Sequence, residues 1–184
     1  VVKNKYKLKL KEIKFKGGSK IMDIRYSANQ RDVKRYTTQE LRDEFLIQNL
    51  YAANEVVAVY SHVDRMVTLG CMPTTETVSI DKGIDCWKNF GTHYFLERRE
   101  IGIFNIGGSG RIVADGQEFQ MGYKDCLYIT KGTKEVYFSS DDASAPAKFY
   151  MVSAPAHTSY TTTYIPIAKA AKSLTAKTFG KLYR

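Results

Sequence analysis

The sequence predicts an all-β domain of the small-barrel or jelly-roll kind. Short apolar runs recur between His93 and Phe138, and glycines separate them at short intervals. Runs of this length with such punctuation are typical of strands rather than helices. They lie at residues 101–106, 112–114, 127–130 and 136–138. Several strands in succession at this spacing favour a closed or double-sheet architecture.

Two tight reversals support the strand interpretation. Asp115-Gly116 lies between two short apolar runs, and this dipeptide suits a type I′ hairpin turn, which needs positive φ at both central residues. Gly107, Gly108 and Gly110 indicate a second reversal, where a side chain would obstruct the backbone.

The elements before the glycine-rich stretch can be assigned in order. Thr37 and Glu40 form a capping box, which predicts one short helix over residues 38–48 that covers the barrel with Leu41 and Phe45. Residues 51–60 lead into a strand, and residues 65–72 and 75–80 are strand-like. Residues 81–91 are interpreted as an irregular loop or one helical turn.

The elements after the glycine-rich stretch are a final strand at residues 148–152 and a variable tail. Residues 167–177 are rich in alanine and lysine and have helix propensity but little apolar stripe. We therefore expect one domain at residues 22–160, followed by a divergent linker or tail at 161–184.

The composition excludes several classes of protein. No apolar run approaches the ~20 residues needed to cross a bilayer, and nothing resembles a signal peptide. The three cysteines, Cys71, Cys86 and Cys126, are odd in number and lack CxxC spacing, which favours free thiols in a reducing cytosol. We expect a cytoplasmic protein without a membrane partner.

The positive charge is concentrated at the N-terminus. The formal net charge is +9, but residues 1–21 contain eight lysines and one glutamate and so account for +7 of it. The remaining +2 over residues 22–184 gives no electrostatic footprint for a phosphate backbone, so no nucleic-acid partner is expected for the domain.

The basic extension at residues 1–21 has two interpretations. It could bind nucleic acid or an anionic membrane, or form an edge strand, since its lysines alternate with apolar residues. The favoured hypothesis is that it is not native. Its residues have A/T-rich codons, Lys16-Gly17-Gly18 can be encoded like a ribosome-binding site, and Met22 follows as a possible start.

Charged side chains cluster at residues 97–100. On a strand, Glu97 and Arg99 would share one face, and Arg98 and Glu100 the other. The cluster is interpreted as an ion-pair network at a rim or subunit interface. The alternative is an arginine that binds the carboxylate of an acidic sugar in a bidentate way.

The remaining histidines offer no clear catalytic arrangement. His62 and Asp64 could act as a base and its orienting group, but no nucleophile pairs with them in the sequence. A polar turn with ion pairs from Asp64 and Arg65 is the favoured interpretation. His157 follows a proline in a turn-rich segment and is interpreted as a capping or interface group.

The stretch from residue 93 onward resembles the two motifs of the cupin family. The first motif is His-x-His, three or four residues, Glu, six residues and Gly. His93, Glu100 and Gly107 match it, and Phe95 stands at the second histidine.

The second cupin motif is Gly, a strand, then Pro-x-Gly-x-x-His. Gly122 and Gly132 match it, while Thr130 replaces the proline and Glu135 the histidine. A cupin metal site needs about three histidines and one glutamate. The resemblance therefore implies a cupin-like fold without catalytic or metal-ligating residues in this chain, and leaves substrate-binding residues unassigned.

Longer segments resemble the N-terminal half of the 5-keto-4-deoxyuronate isomerase (4-deoxy-L-threo-5-hexosulose-uronate ketol-isomerase) family. The match covers roughly residues 22–160, and Tyr-Phe-Leu-Glu-Arg-Arg-Glu at 94–100 is its most specific part. The other matching segments are Asp64-Arg65, Asn105-Ile106-Gly107-Gly108-x-Gly110, Asp115-Gly116, Lys134-Glu135-Val136, Pro146-Ala147-Lys148-Phe149-Tyr150 and Ala154-Pro155-Ala156-His157.

The resemblance implies an aldose–ketose isomerase of pectin and uronate breakdown that acts on an acidic sugar. Members are zinc-containing double cupins that assemble as hexamers, and the zinc ligands lie in the C-terminal cupin, beyond this chain. The expected cofactor of this chain is therefore none, and the chain is expected to be inactive alone. The tail after about residue 167 departs from the family, for which a frameshift or premature stop is the hypothesis. The alternative function is a non-catalytic cupin for acidic-sugar binding or subunit assembly.

Overall fold

A computed structural model describes residues 22–170, and most of its regular structure is strand. The basic extension and the last part of the tail, residues 1–21 and 171–184, lie outside the described residues. The strands are β1 (Asp23–Arg25), β2 (Val56–Ser61), β3 (Met66–Cys71), β4 (Val78–Ser79), β5 (Arg99–Asn105), β6 (Gly110–Ala114), β7 (Gln117–Met121), β8 (Cys126–Ile129), β9 (Val136–Ser140), β10 (Phe149–Pro155) and β11 (Thr163–Ile165). The helices are α1 (Gln30–Val33), α2 (Thr38–Phe45) and α3 (Cys86–Phe90).

The strand pairings are nested like those of one long folded hairpin. Strand β6 pairs with β7, β5 with β8, β4 with β9 and β3 with β10, all antiparallel. Successive pairs alternate between two sheets, in the orders β1-β2-β3-β10-β5-β8-β11 and β4-β9-β6-β7. This alternation of nested pairs is the connectivity of a jelly roll, so the predicted fold class is confirmed.

Both predicted reversals are present. Asp115 and Gly116 have φ values of 44° and 81°, as a type I′ turn between β6 and β7 requires. Between β5 and β6, a Cβ on Gly108 would collide with the carbonyl oxygen of Ala145. The glycines there permit the close approach of two backbone segments.

The space between the sheets is filled by apolar side chains. Inward residues alternate with outward ones along several strands, as in β5, where Ile101 and Ile103 are buried and Phe104 is exposed. Phe138 and Phe149, from the two opposite sheets, contact each other with ring centroids 5.3 Å apart. These buried side chains form one apolar core cluster between the sheets.

Helix α2 begins where predicted, but it ends before residue 48 and does not cover the barrel. Thr37 accepts a hydrogen bond from the Glu40 amide while the Glu40 carboxylate accepts one from the Thr37 amide, which completes the capping box. Helix α2 ends at Phe45 and buries no residue, and Leu41 and Phe45 are exposed. The prediction that this helix packs on the barrel is wrong, because its apolar residues point to solvent.

The described part of the expected linker or tail contains regular structure. Strand β11 pairs with the edge of β8, and a single 3₁₀ turn follows at Ile167–Lys169. The rest of the alanine- and lysine-rich stretch, residues 171–177, lies outside the described residues. Among residues 22–170, no helix is long and apolar enough to cross a membrane.

Candidate functional site

The residues aligned with the cupin motifs do not converge. His93 is exposed, and Phe95 lies in the core. Glu100 is on the outer face of β5, where it accepts a hydrogen bond from the Tyr128 hydroxyl at 2.7 Å. Glu135 is exposed, before β9 begins. Glu100 points outward from its strand and Glu135 is exposed, so neither carboxylate faces the interior as a cupin ligand would.

These residues do not fit a zinc ion. A zinc site needs nitrogen, sulfur or carboxylate donors at about 2.0–2.3 Å from one point, and His93, Glu100 and Glu135 face different surroundings. Within the described ranges, no group of three His, Cys, Asp or Glu residues could hold a metal. We therefore derive no chemical step through zinc for this part of the chain.

Arg99 is the charged residue that enters the interior. Its side chain is 5 % exposed and lies over the rings of Phe90 and Tyr60, at 5.3 and 6.0 Å from their centroids. Burial lowers the pKa of Arg99 to about 10, so the guanidinium remains protonated at neutral pH. It donates hydrogen bonds to Ser153 and to the carbonyl oxygen of Arg65.

The charged side chains at 97–100 form no ion pairs with one another within the described part of this chain. Glu97 accepts a hydrogen bond from the His93 amide, and Glu100 is bonded to Tyr128. None of the ion pairs between described residues joins the four charged residues at 97–100. Strand β5 begins only at Arg99, so the cluster straddles the strand end. Ion pairs across a subunit interface stay a prediction.

His62 packs against aromatic rings, and the backbone of His157 accepts a hydrogen bond. His62 stacks on Tyr26 with centroids 4.5 Å apart and meets the edge of Tyr60. Residues 62–65 form an exposed turn between β2 and β3, as predicted, but no ion pair between described residues includes Asp64 or Arg65. The His157 carbonyl accepts a hydrogen bond from Lys131.

The cysteines are free thiols. Cys71 and Cys86 are buried, and Cys126 is half-buried. Burial raises the pKa of Cys71 and of Cys86 to about 12, which keeps both protonated at neutral pH. None of them is a ready nucleophile.

A pocket of about 420 Å³ lies beside helix α3. Asp85 caps this helix by accepting from the Lys88 amide, and Gly91 ends it with a φ of 65°. The pocket is lined by the helix, by Asp81 before it and by Thr92 and His93 after it. The predicted helical turn within residues 81–91 is present as this helix, whereas the sequence alone assigns no site to Trp87, its single tryptophan.

The pocket combines an aromatic surface with acidic groups. Trp87 is 67 % exposed and stacks on His93, with ring centroids 5.5 Å apart. Asp81 accepts from the Phe95 amide and from the Cys86 thiol. Burial raises the pKa of Asp81, although these two hydrogen bonds act in the opposite direction. No aldose–ketose chemistry follows from this arrangement, since it presents no positive group to an enediolate.

The fold defines the class of protein: this is a cupin-like jelly roll. The chain has limited similarity to two solved structures. A cupin 2 conserved barrel domain protein from Salinispora arenicola is 17% identical with a TM-score of 0.39, covering 59% of this chain and 82% of that one. A cupin protein from Bacteroides fragilis is 15% identical with a TM-score of 0.37, covering 59% and 79%. No protein-family model matches the chain.

Curated relatives are much closer in sequence. A protein of Lachnospira eligens is 48% identical over 151 residues, which cover 82% of this chain and 52% of the relative. One of Escherichia coli O139:H28 is 50% identical over 141 residues, covering 77% and 50%. Both are named 4-deoxy-L-threo-5-hexosulose-uronate ketol-isomerase, and the chain is homologous to the part of each that it matches. It spans about half the length of the curated relatives it matches.

Proposed function

We propose that this chain is the N-terminal half of a 4-deoxy-L-threo-5-hexosulose-uronate ketol-isomerase that acts in pectin and uronate breakdown, and that it is inactive alone. The chain is 48% and 50% identical in sequence to the two named relatives over about half of their length, which supports its assignment to such an isomerase. The family resemblance assigns the zinc to the C-terminal cupin. We further propose a cytoplasmic location, which suits three free thiols.

The observation that carries the proposed inactivity is the separation of the potential catalytic groups. Ketol isomerisation requires a base that removes the proton next to a carbonyl and a group that stabilises the resulting enediolate. The potential bases His93, Glu100 and Glu135 face different surroundings. Arg99 is enclosed by Phe90 and Tyr60 and bonded to Ser153. No base and electrophile therefore meet around a shared space in residues 22–170.

A complementation assay tests this proposal. The purified chain is assayed with 4-deoxy-L-threo-5-hexosulose-uronate, alone and after coexpression with the C-terminal half of the Lachnospira eligens relative. We expect no turnover from the chain alone and turnover from the pair. Turnover by the isolated chain, or a pair that associates but stays inactive while the intact relative is active, would contradict the proposal.

A second candidate function is subunit or domain assembly, and the outer face of the large sheet favours it. Phe104, which is 44 % exposed, lies between Tyr150 of β10 and Cys126 of β8 in the strand register. On the same face, two residues earlier along β5, Gly102 lies between Val152 of β10 and Tyr128 of β8. Such a mostly apolar sheet face is suited to burial against another cupin domain, as in the proposed hexamer.

Sedimentation velocity tests the assembly function separately from catalysis. We expect the chain to self-associate, or to bind the C-terminal half, and a Phe104→Asp variant to lose this association. A variant of similar exposure elsewhere, Ile24→Asp, should not lose it. A wild-type chain that remains monomeric and does not bind the C-terminal half would rule out this function.

A further inference from the structure

The pocket beside α3 carries negative charge that the nearby lysine does not neutralise. Asp81 and Asp85 both line it, and its lining contains no lysine or arginine. Lys82, the next residue after Asp81, instead donates to the Asn54 carbonyl at 2.7 Å and lies 3.4 Å from Glu76. A ligand with a negative charge would therefore be repelled, and one with a positive charge attracted.

The pocket also offers hydrogen-bond acceptors to a ligand. The Thr92 side chain is 1 % exposed, and its Oγ1 has no hydrogen-bond partner among the described residues. A buried hydroxyl without a partner is costly, so a ligand that donates to it would relieve that cost. The hydrogen bonds that Asp81 and Asp85 accept go to one oxygen of each carboxylate, Oδ1. The polar groups therefore suit a ligand rich in N–H donors.

Trp87 supplies the third element of a cation site. Its ring stacks on His93 yet remains two-thirds exposed. Tryptophan is the aromatic residue that attracts cations most strongly, because its π-face carries negative charge density. The aromatic face, the two carboxylates and the unpartnered hydroxyl occur together around one pocket, and each favours the same chemistry.

We propose that this pocket binds an organic cation, a guanidinium or primary ammonium group, against Trp87, Asp81 and Asp85, with Thr92 accepting a hydrogen bond. This site is distinct from the cupin interior and does not depend on the isomerase function. The cation has two possible sources, a free small molecule or the side chain of a second copy of the chain. The recognition chemistry is the same for both.

The single tryptophan makes the test direct. Fluorescence excited at a wavelength selective for tryptophan and the one tryptophan indole N–H cross-peak in an NMR spectrum both report on Trp87 alone. Methylguanidinium chloride is titrated at constant ionic strength, with methylurea as a neutral probe and galacturonate as an anionic one. We expect a saturable shift with methylguanidinium only. No saturable shift with it, or an equal shift with methylurea, would overturn the proposal.

Matched variants test whether methylguanidinium binding requires the negative charges of Asp81 and Asp85. Asp81→Asn with Asp85→Asn keeps an acceptor at each position, including the α3 cap, and should weaken methylguanidinium binding by about tenfold or more. Thr92→Val should weaken it by about threefold, and Glu118→Gln, an exposed carboxylate on β7, should not change it. Equal affinity in wild type and the double asparagine variant, both folded by circular dichroism, would contradict the proposal.

The source of the cation is resolved by sedimentation in the same titration. If the cation is a free molecule, saturation with methylguanidinium leaves the size of the particle unchanged. If it is a side chain of a second copy, methylguanidinium dissociates the wild-type assembly and the double asparagine variant is already dissociated. Both results support cation recognition, whereas binding of galacturonate in preference to methylguanidinium refutes it.

Discussion

Arg99 and Ser153 are joined by two hydrogen bonds across adjacent strands of the large sheet. The Nε of Arg99 donates to the Ser153 hydroxyl at 3.1 Å, and Nη2 donates to the Ser153 carbonyl at 2.8 Å. The same Nη2 also donates to the Arg65 carbonyl at 2.7 Å, so one guanidinium connects β5, β10 and the turn before β3. The charge is stabilised by carbonyl dipoles and aromatic faces.

Removing the Arg99 side chain should destabilise the fold. Arg99→Ala leaves a cavity between Phe90 and Tyr60 and leaves buried carbonyls unpaired, so we expect a loss of about 2–4 kcal/mol in the free energy of unfolding. Arg99→Met keeps most of the packing and should lose less. Urea unfolding measures both. An Arg99→Ala variant as stable as wild type would show that these contacts contribute nothing.

Two glycines of the large sheet should respond oppositely to alanine. A Cβ on Gly70 would collide with the carbonyl oxygen of Leu50, whereas a Cβ on Gly102 meets nothing within 4 Å. We expect Gly70→Ala to cost roughly 2 kcal/mol or more, as overpacking does. Gly102→Ala should be neutral or stabilising by up to about 1 kcal/mol, because alanine restricts the unfolded chain. Thermal unfolding distinguishes them, and equal effects would contradict the packing described here.

The attachment of β11 should weaken in acid. Burial tends to raise the pKa of Asp125, but hydrogen bonds from Tyr164, Ile167 and Gly122 outweigh it and lower the pKa below the ordinary value of 3.8. Because the pKa of Asp125 is lower in the folded state than in the unfolded chain, its ionised carboxylate stabilises the folded state above pH 3.8. This stabilisation is lost as the pH falls below 3.8 and through the folded-state pKa.

Hydrogen exchange at the amides of β11 measures this effect. We expect stable protection above pH 5, a loss of protection in acid, and weaker protection at neutral pH in Asp125→Asn. Asp142→Asn, in an exposed loop, serves as the control. Protection that is independent of pH down to full protonation would contradict the role of Asp125.

The thiols should differ in their reactivity with iodoacetamide. Cys71 is 0 % exposed and Cys86 is 7 % exposed, and burial raises the pKa of both to about 12. Cys126 is half-buried on the outer face of β8. We expect peptide mapping at neutral pH to find Cys126 modified first. The rate of modification depends on the fraction of thiolate and on the access of the reagent to the sulfur. Faster modification of Cys71 would contradict its enclosure in the core.

Local chemistry made some elements predictable. Asp115-Gly116 requires positive φ at two successive residues, and few structures other than a hairpin provide it. Thr37 and Glu40 satisfy each other's backbone donors, so the start of α2 could be predicted without knowledge of its neighbours. The end of that helix and the direction of its apolar face depend on tertiary contacts, and there the prediction failed.

The sequence could not predict which of residues 99 and 100 points into the core. Both carry charge, so alternation of polar and apolar residues does not fix which one points inward. The pairing of β5 with β10 sets the register, and it places Arg99 beside the buried Ser153. Strands β1 and β11 were missed for a related reason, since each has three residues and forms only because a neighbouring strand is available.

The pocket beside α3 was hidden by its short helix. A helix of five residues shows no hydrophobic period, so the sequence could not decide between a loop and one helical turn around Trp87. The available signal was Asp85 as an N-cap followed by Gly91 as a C-cap, with the only tryptophan of the chain between them.

The most direct test is the zinc content and turnover of the purified chain. After dialysis against zinc and then against zinc-free buffer, elemental analysis should find far less than one zinc per chain, with no isomerisation of 4-deoxy-L-threo-5-hexosulose-uronate. One tightly held zinc per chain, lost together with turnover in His93→Ala or Glu100→Gln, would contradict the account.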